Sequence, residues 1–111
     1  MKIPNAERAV VDIRKLQDYC LNPQHHRRKH KARLFTSLLD MDVDDAEGLR
    51  NALLEAVKNR DAQLADKDAY GQRYTLDFTL NWWDKQATIR SAWIIETNTD
   101  IPKLTTAFPL K

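Results

Sequence analysis

The sequence is poor in the residues that cross-link a chain or make its tightest turns. Its 111 residues include two glycines and one cysteine, Cys20, which excludes an internal disulfide and a cysteine-rich zinc site. We expect Cys20 to be a small buried hydrophobic residue. No apolar run approaches the roughly 20 residues of a membrane-spanning helix, and residues 1–8 lack the apolar stretch of a signal peptide. These absences favour a cytoplasmic protein without membrane contacts.

The composition is that of a globular domain. Hydrophobic residues make up 42% and charged residues 31% of the chain, and three each of Trp, Tyr and Phe are too many aromatics for a disordered chain. At this length we expect a single domain, residues 1–111, with one core. The sequence has no glycine-rich phosphate loop and no nucleophile elbow, and its histidine spacing matches no common zinc motif. No cofactor and no metal are therefore predicted.

The charges are unevenly distributed along the chain, although the net charge is only +2. Residues 1–39 hold nine Lys or Arg and three Asp or Glu, whereas residues 40–68 hold four and nine. This distribution predicts a basic surface that suits a polyanion and an acidic surface that suits a basic partner. The alternative is that the two surfaces partly neutralise each other within the fold.

Three segments have the periodicity of amphipathic helices. Apolar residues recur at three- and four-residue steps and predict helices over 13–21, about 28–39, and 44 to about 59. Asp44 and Glu47 have the spacing of a capping box at the start of the third helix, and acidic residues suit the positive end of a helix.

Beyond Gly71 the period changes from 3.6 to two. Residues 73–82 alternate polar and apolar side chains and predict a half-buried strand, followed by a hairpin tip at 81–85 and strands over 87–96 and 103–110. Helices first and an antiparallel meander second predict an α+β fold. In this fold about three N-terminal helices pack on one face of a C-terminal antiparallel sheet of three to four strands.

The segment from Gln24 to Arg33 holds five cations, three histidines and no acid. Cations at a helix N-terminus oppose the helix dipole, and a bound phosphate would relieve that repulsion. The segment is therefore either a solvated basic loop or an anion site. Its candidate RNA- or phosphate-binding residues are Arg27, Arg28, Lys29, His30 and Arg33.

Lys31 and two hydroxyl residues occupy positions that are unusual for their types. Helical projection puts Lys31 about 40° from Phe35, the centre of the buried face, so it is either a functional cation or a snorkelling lysine. Ser91 and Thr106 lie in otherwise apolar rows of two predicted strands. Either each hydroxyl bonds a nearby carbonyl, or the two lie together near Lys31 and complete an anion-binding cleft.

The adjacent Trp82 and Trp83 at the predicted hairpin tip allow two interpretations. They stack on nucleic-acid bases, or they clamp a neighbouring element of the fold.

Four spaced motifs carry a resemblance that extends over nearly the whole chain. They are Asn22-Pro23-x-His25, Lys31-Ala32-Arg33-x-Phe35, Tyr70-Gly71-Gln72-Arg73-Tyr74 and Ala92-Trp93-Ile94. With them the chain resembles a small bacterial family of unassigned function, similar to the C-terminal toxin modules of polymorphic and contact-dependent inhibition toxins. Some of these modules resemble the superfamily of barnase, EndoU, colicin E5 and RelE, which are metal-independent ribonucleases in which helices precede an antiparallel sheet.

The resemblance implies a toxin domain that cleaves structured RNA, tRNA foremost, by attack of a 2′-OH on the adjacent phosphate. A cognate antitoxin or immunity protein is the implied protein partner. In this interpretation His25 transfers a proton, Lys31 and Arg73 hold the phosphate, and Tyr70 transfers a second proton or stacks on a base. The implied catalytic residues are His25, Lys31, Tyr70, Ser91 and Thr106.

Two alternatives to an active ribonuclease stay open. One is a non-catalytic protein-binding module of a two-gene system, which docks through the acidic segment 40–47. The other is a degenerate relative that keeps the fold without the activity. The reason for this alternative is that Arg28 and Asp40 stand where the family pattern has glycine. The chain also has His26 where that pattern has proline.

Overall fold

The computed structural model describes residues 1–26 and 29–111 and places the helices ahead of the sheet. Helix α1 (Ile13–Lys15) continues as one π-helical turn (Leu16–Cys20), and α2 (Lys29–Leu39) and α3 (Ala46–Asn59) follow. The strands are β1 (Gln63–Asp68), β2 (Gly71–Trp82), β3 (Lys85–Glu96) and β4 (Lys103–Pro109). They form one antiparallel sheet in the order β1-β2-β3-β4, which confirms the α+β prediction.

The two faces of the sheet differ because side chains alternate along β2 and β3. The face that the helices cover, called the helix face below, carries buried side chains: Tyr74, Leu76, Phe78, Leu80, Ala87, Ile89, Ser91 and Trp93. The other face, called the open face, carries polar and small side chains: Thr75, Asp77, Thr79, Thr88, Arg90 and Ala92. An antiparallel sheet with one solvated face is the arrangement that the alternating pattern of residues 73–82 predicts.

The helices bury the stripes that their periodicity predicts. Helix α2 packs against β3 and β4 through Ala32, Phe35 and Leu39, and α3 buries Leu49 and Leu53. Each large apolar side chain removed from water in this way contributes about 1.5–3 kcal/mol.

Helix α3 begins with a different cap from the one predicted. The capping box pairs Asp42 with Asp45, and a 3-10 turn (Val43–Asp45) precedes the helix. The expectation that Asp44 and Glu47 form the box is wrong because the chain turns two residues earlier, where the Asp42 carboxylate accepts the Asp44 N–H.

A bulge in β4 inverts the alternation that the sequence predicts there. Ala92 pairs with Thr106 and Trp93 pairs with Leu104, so Thr105 is the extra residue. Leu104 therefore lies on the helix face whereas Thr106 lies on the open face. The prediction that both share one face is wrong, because Thr105 and its neighbours Leu104 and Thr106 include no glycine or proline that would signal the bulge.

The sequence pattern does not predict β1. All six of its side chains are exposed and show no alternation, and it lies at the edge of the sheet next to β2. Exposed charges at Asp66, Lys67 and Asp68, with a register shift between Leu64 and Lys67, are typical of an edge strand protected against further pairing.

Asp40 ends helix α2 in the conformation that glycine usually provides. Its φ is +53°, and its N–H donates to the Thr36 carbonyl at 2.9 Å, which closes the helix with a left-handed cap. Asp tolerates this region better than most residues. The departure from the Leu-Gly of the family pattern therefore leaves the end of α2 intact.

Candidate functional site

A cation and an aromatic ring meet on strand β4, and a threonine lies two residues from the ring on the same face of the strand. We call Lys31, Thr106 and Phe108 the β4 edge cluster. The Lys31 Nζ lies 3.9 Å from the centroid of the Phe108 ring, a cation–π contact. Phe108 pairs with Arg90 of β3 and lies two residues from Thr106, so both belong to the open face. Helix α2 packs on β4 and brings Lys31 there.

The hydroxyl of Thr106 is the unusual member of the cluster. Its Oγ1 is buried and has no hydrogen-bond partner among the residues that the structure describes. Buried polar atoms almost always have a partner, because leaving one unsatisfied costs about 1–3 kcal/mol. A ligand can bond this oxygen only after the side chains that cover it move aside.

His25 is held in the loop that precedes α2. Its ring packs edge-to-face on Tyr19 with centroids 5.0 Å apart, and its other side stacks on His26 at 5.7 Å with an interplanar angle of 1°. Asn22 shapes this loop, because its side chain accepts the Gln24 N–H at 2.9 Å and its carbonyl accepts the His25 N–H at 3.3 Å. The Asn22-Pro23-x-His25 motif is thus a turn that positions His25.

Strand β4 contacts both the turn that packs on His25 and the helix that carries Lys31. The π-helical turn, which carries Tyr19, contacts both α2 and β4, and α2 contacts β4 as well. Tyr19 and Phe108 are site residues that the sequence reasoning missed. No motif marks them, since Phe108 acquires its role from a contact with Lys31, which is distant along the chain, and Tyr19 from the turn that brings His25 back onto it.

Lys31 is exposed although helical projection puts it near the buried face, and the remaining basic candidates on α2 are exposed as well. Lys29, His30 and Arg33 lie on the first turns of the helix with their side chains in solvent. The predictions for Arg27 and Arg28 lie outside the described residues. The described cations add positive charge next to the β4 edge cluster, which suits a polyanionic ligand.

Ser91 is a core residue rather than a member of this cluster. It is fully buried on the helix face, donates to the Leu76 carbonyl at 2.8 Å and accepts the Trp93 Nε1–H at 2.9 Å. It pairs with Ala107, whereas Thr106 pairs with Ala92. The expectation that Ser91 and Thr106 lie together is wrong, because the bulge places them on opposite faces of the sheet.

Substitution of Ser91 by alanine is expected to lower the free energy of unfolding by about 2 kcal/mol. The buried Trp93 indole N–H would lose its acceptor in a site that water does not reach. Urea denaturation followed by tryptophan fluorescence measures the change. Thr88→Ala, which removes an exposed hydroxyl from the same strand, is the control, and equal losses in the two variants would contradict the core role of Ser91.

Arg73 and Tyr70 lie at the other end of the sheet. The Arg73 Nη1 is 2.6 Å from Asp68 Oδ2, and this hydrogen bond lowers the pKa of the Asp68 carboxyl below its usual value. Tyr70 lies in the turn between β1 and β2 with 74% of its surface exposed. Arg73 pairs with Ile94, which puts it two strands and four residues, about 16 Å, from Phe108. The structure therefore does not bring Arg73 or Tyr70 to the β4 edge cluster.

A cleft of about 510 Å³ opens between the N-terminal segment and the end of β3 and β4. Its charges are paired within the protein: Asp12 with Arg14 at 3.2 Å, and Glu96 with Lys103 at 2.9 Å. The hydrogen bond from the Arg14 side chain lowers the pKa of the Asp12 carboxyl. A cleft with balanced charge does not collect an anion, which leaves the β4 edge cluster as the candidate site.

Within residues 1–26 and 29–111, no group of three or more His, Cys, Asp or Glu side chains is placed to hold a metal ion. No helix in this part of the chain has the length and apolar character to cross a membrane.

Comparison with known proteins relates the chain to one family and one fold. The family model described as "Domain of unknown function (DUF6883)" matches residues 2–111. A chain of the solved "Contact-dependent growth inhibition toxin - immunity protein complex from Klebsiella pneumoniae 342" is 20% identical and aligns with a TM-score of 0.69, covering 92% of this chain and 100% of that chain. At this identity the likeness shows a shared fold. No curated protein matches the chain.

Proposed function

This chain belongs to the family described as Domain of unknown function (DUF6883), and from that premise we propose that it is a metal-independent endoribonuclease of the toxin type that cleaves structured RNA, tRNA foremost. The observation that carries the proposal is the β4 edge cluster, where the Lys31 ammonium group lies on the ring of Phe108 and the unpartnered hydroxyl of Thr106 belongs to the same face of β4, two residues away. The fold is shared with a chain from a toxin–immunity complex, which fits a toxin or an immunity-type module.

RNA carries its own nucleophile, so the protein has little covalent chemistry to supply. The 2′-oxygen attacks the adjacent phosphorus, the bond to the 5′-oxygen breaks, and a 2′,3′-cyclic phosphate forms. In the proposed mechanism His25 takes the proton from the 2′-OH, and the leaving 5′-oxygen takes up a proton from solvent. Lys31 stabilises the charge that develops on the phosphate oxygens, and Thr106 donates a hydrogen bond to one of them.

The structure suggests a supporting residue for each of the two main groups. Tyr19 fixes the plane of the His25 ring by its edge-to-face contact, and Phe108 fixes the Lys31 ammonium group by the cation–π contact. Both supports hold the reactive group in place before substrate binds, which reduces the ordering that catalysis must supply. Lys29, His30 and Arg33 would follow the RNA backbone, so binding should weaken steeply with salt.

Incubation of the purified protein with total bacterial RNA in EDTA, followed by mapping of new ends, tests this function. We expect discrete cuts that end in 2′,3′-cyclic phosphates. Lys31→Ala should slow the cutting by about tenfold or more, because it removes a cation placed to stabilise the transition state. Lys29→Ala is the matched control, since it removes the same charge from an exposed position of the same helix.

Two results would contradict the proposal. RNA that stays intact over a range of salt and protein concentrations would exclude a ribonuclease. Cuts of equal rate in the Lys31→Ala and Lys29→Ala proteins would exclude the β4 edge cluster as the site, since a contaminating nuclease responds to neither substitution.

The second candidate function is a non-catalytic module that binds a basic protein. The observation that favours it is an acidic patch on the 3-10 turn, where exposed Asp42, Asp44 and Glu47 surround Val43, which is itself 42% exposed. An apolar side chain within a charged rim is typical of a protein interface. Intact RNA in the assay above, together with capture of a basic partner that Val43→Asp abolishes, would favour this function.

A further inference from the structure

Trp83 is the most exposed large apolar side chain in the described part of the chain, with 89% of its surface in solvent. It occupies the two-residue turn between β2 and β3 with a φ of +56°. Glycine or asparagine is usual in this region of backbone conformation, and a bulky residue there is strained. The protein therefore tolerates both backbone strain and apolar exposure at one residue.

Trp82, unlike Trp83, packs against another element of the fold. It is half-buried and lies against Gly48 of α3, where a Cβ added to Gly48 would collide with the indole ring. Its ring meets the Trp83 ring edge-to-face with centroids 6.4 Å apart. Trp82 thus packs between α3 and the sheet, and the adjacent Trp83 is exposed to solvent.

A neutral polar track connects Trp83 with the β4 edge cluster across the open face. From the turn it passes the pair Asn81 and Gln86, whose side chains share a hydrogen bond at 2.9 Å, and then two threonines, Thr79 and Thr88. The next pair, Asp77 and Arg90, is joined by hydrogen bonds of 2.8 and 2.9 Å, and beside Arg90 lies Phe108. The track is about 20 Å long at 3.3 Å per residue, the span of a few nucleotides.

We propose that Trp83 is a base-stacking platform that binds an unpaired nucleotide of the RNA substrate, a few nucleotides from the bond cleaved at the β4 edge cluster. The inference rests on the proposed function, because it places the reacting phosphate beside Lys31. An exposed indole stacks on any unpaired base, and amide and hydroxyl side chains along the track supply partners for sugars and base edges. The polar track lacks the apolar surroundings that make an exposed tryptophan the centre of a protein interface.

The test separates binding from cleavage. Trp83→Asn removes the ring with a residue that tolerates the positive φ, Trp83→Phe keeps a smaller ring, and Leu64→Ala removes an exposed apolar side chain from the edge strand β1 as the control. Each protein is titrated with a fluorescein-labelled single strand of mixed sequence in 2′-O-methyl RNA, which cannot be cleaved and serves whether or not cuts are found. We expect Trp83→Asn to raise Kd about tenfold, Trp83→Phe to lie between, and Leu64→Ala to match the wild type.

Cleavage of the all-ribose strand gives the second readout. Trp83→Asn should raise KM by a similar factor with kcat unchanged, because stacking away from the scissile bond adds binding without acting on the reacting atoms. An unchanged Kd and KM in Trp83→Asn, while the protein still cuts RNA, would overturn the stacking role and leave the proposed function standing. Binding that depends on Trp83 without any cleavage would support the platform and contradict the ribonuclease. Loss of a captured protein partner in Trp83→Asn with RNA binding intact would also overturn the proposal.

Discussion

Replacement of Gly71 by alanine is expected to lower the free energy of unfolding by about 3 kcal/mol or more. Gly71 begins β2 with a φ of +152°, a conformation that residues with a side chain rarely adopt. A Cβ at this position would collide with the carbonyl oxygen of Ile95 and lie 2.8 Å from the Cα of Glu96. Both are backbone atoms of β3, and Glu96 is the residue that pairs with Gly71, so neither can move without loss of the strand pairing.

Gly48→Ala is the matched control, because this chain has only two glycines and the second meets a side chain. The added Cβ would collide with the ring of Trp82, which is half-buried and can rotate away at a smaller cost. Urea denaturation followed by far-ultraviolet circular dichroism gives both free energies. If Gly71→Ala loses no more free energy of unfolding than Gly48→Ala, the backbone of β2 and β3 can shift to accommodate the added Cβ.

The parts of the fold that local periodicity encodes were predictable from the sequence. Helices α2 and α3 and strands β2 and β3 each carry an apolar row whose spacing belongs to one kind of structure. Strand β1 carries no such row, since it lies at the sheet edge with every side chain exposed and is held by backbone pairing to β2. Backbone pairing leaves no trace in side-chain pattern, so β1 was not predictable.

The candidate site was predictable in part for a related reason. Lys31 and His25 stand out in the sequence by their charge and by their place in a basic segment. The partners that hold them, Phe108 and Tyr19, are ordinary core-edge aromatics until the chain folds. Thr106 was selected for the wrong reason, since the predicted partner Ser91 lies on the opposite face of the sheet.

The bulge explains why Ser91 and Thr106 lie on opposite faces of the sheet instead of side by side. A one-residue insertion in a strand moves every later side chain to the other face, and strand register depends on the pairing of two distant segments. The same insertion puts Thr106 and Phe108 together on the open face, whereas Leu104 stays on the helix face. The irregularity of β4 is therefore what creates the candidate site.

His25 is the residue whose loss should affect the proposed chemistry most. We expect His25→Ala to slow RNA cleavage by about 100-fold or more, the contribution of a positioned proton-transfer group. His26→Ala should have little effect, although the two rings stack, because His26 is exposed whereas His25 is half-buried against Tyr19. Both variants remove an imidazole ring from adjacent positions of one loop. A difference between their cleavage rates therefore reports the position of the ring and not the mere loss of an imidazole.

A second readout distinguishes proton transfer from support of the loop. Added imidazole should restore part of the activity of His25→Ala, since a diffusible base can enter the space that the ring leaves beside Tyr19, and it should do nothing for Lys31→Ala. A loss in His25→Ala that imidazole does not relieve, with an equal loss in Tyr19→Leu, would mean that His25 only shapes the loop. In that case the proton acceptor must be sought among the remaining groups along the β4 edge, and the Lys31 contact with Phe108 would still mark where the phosphate binds.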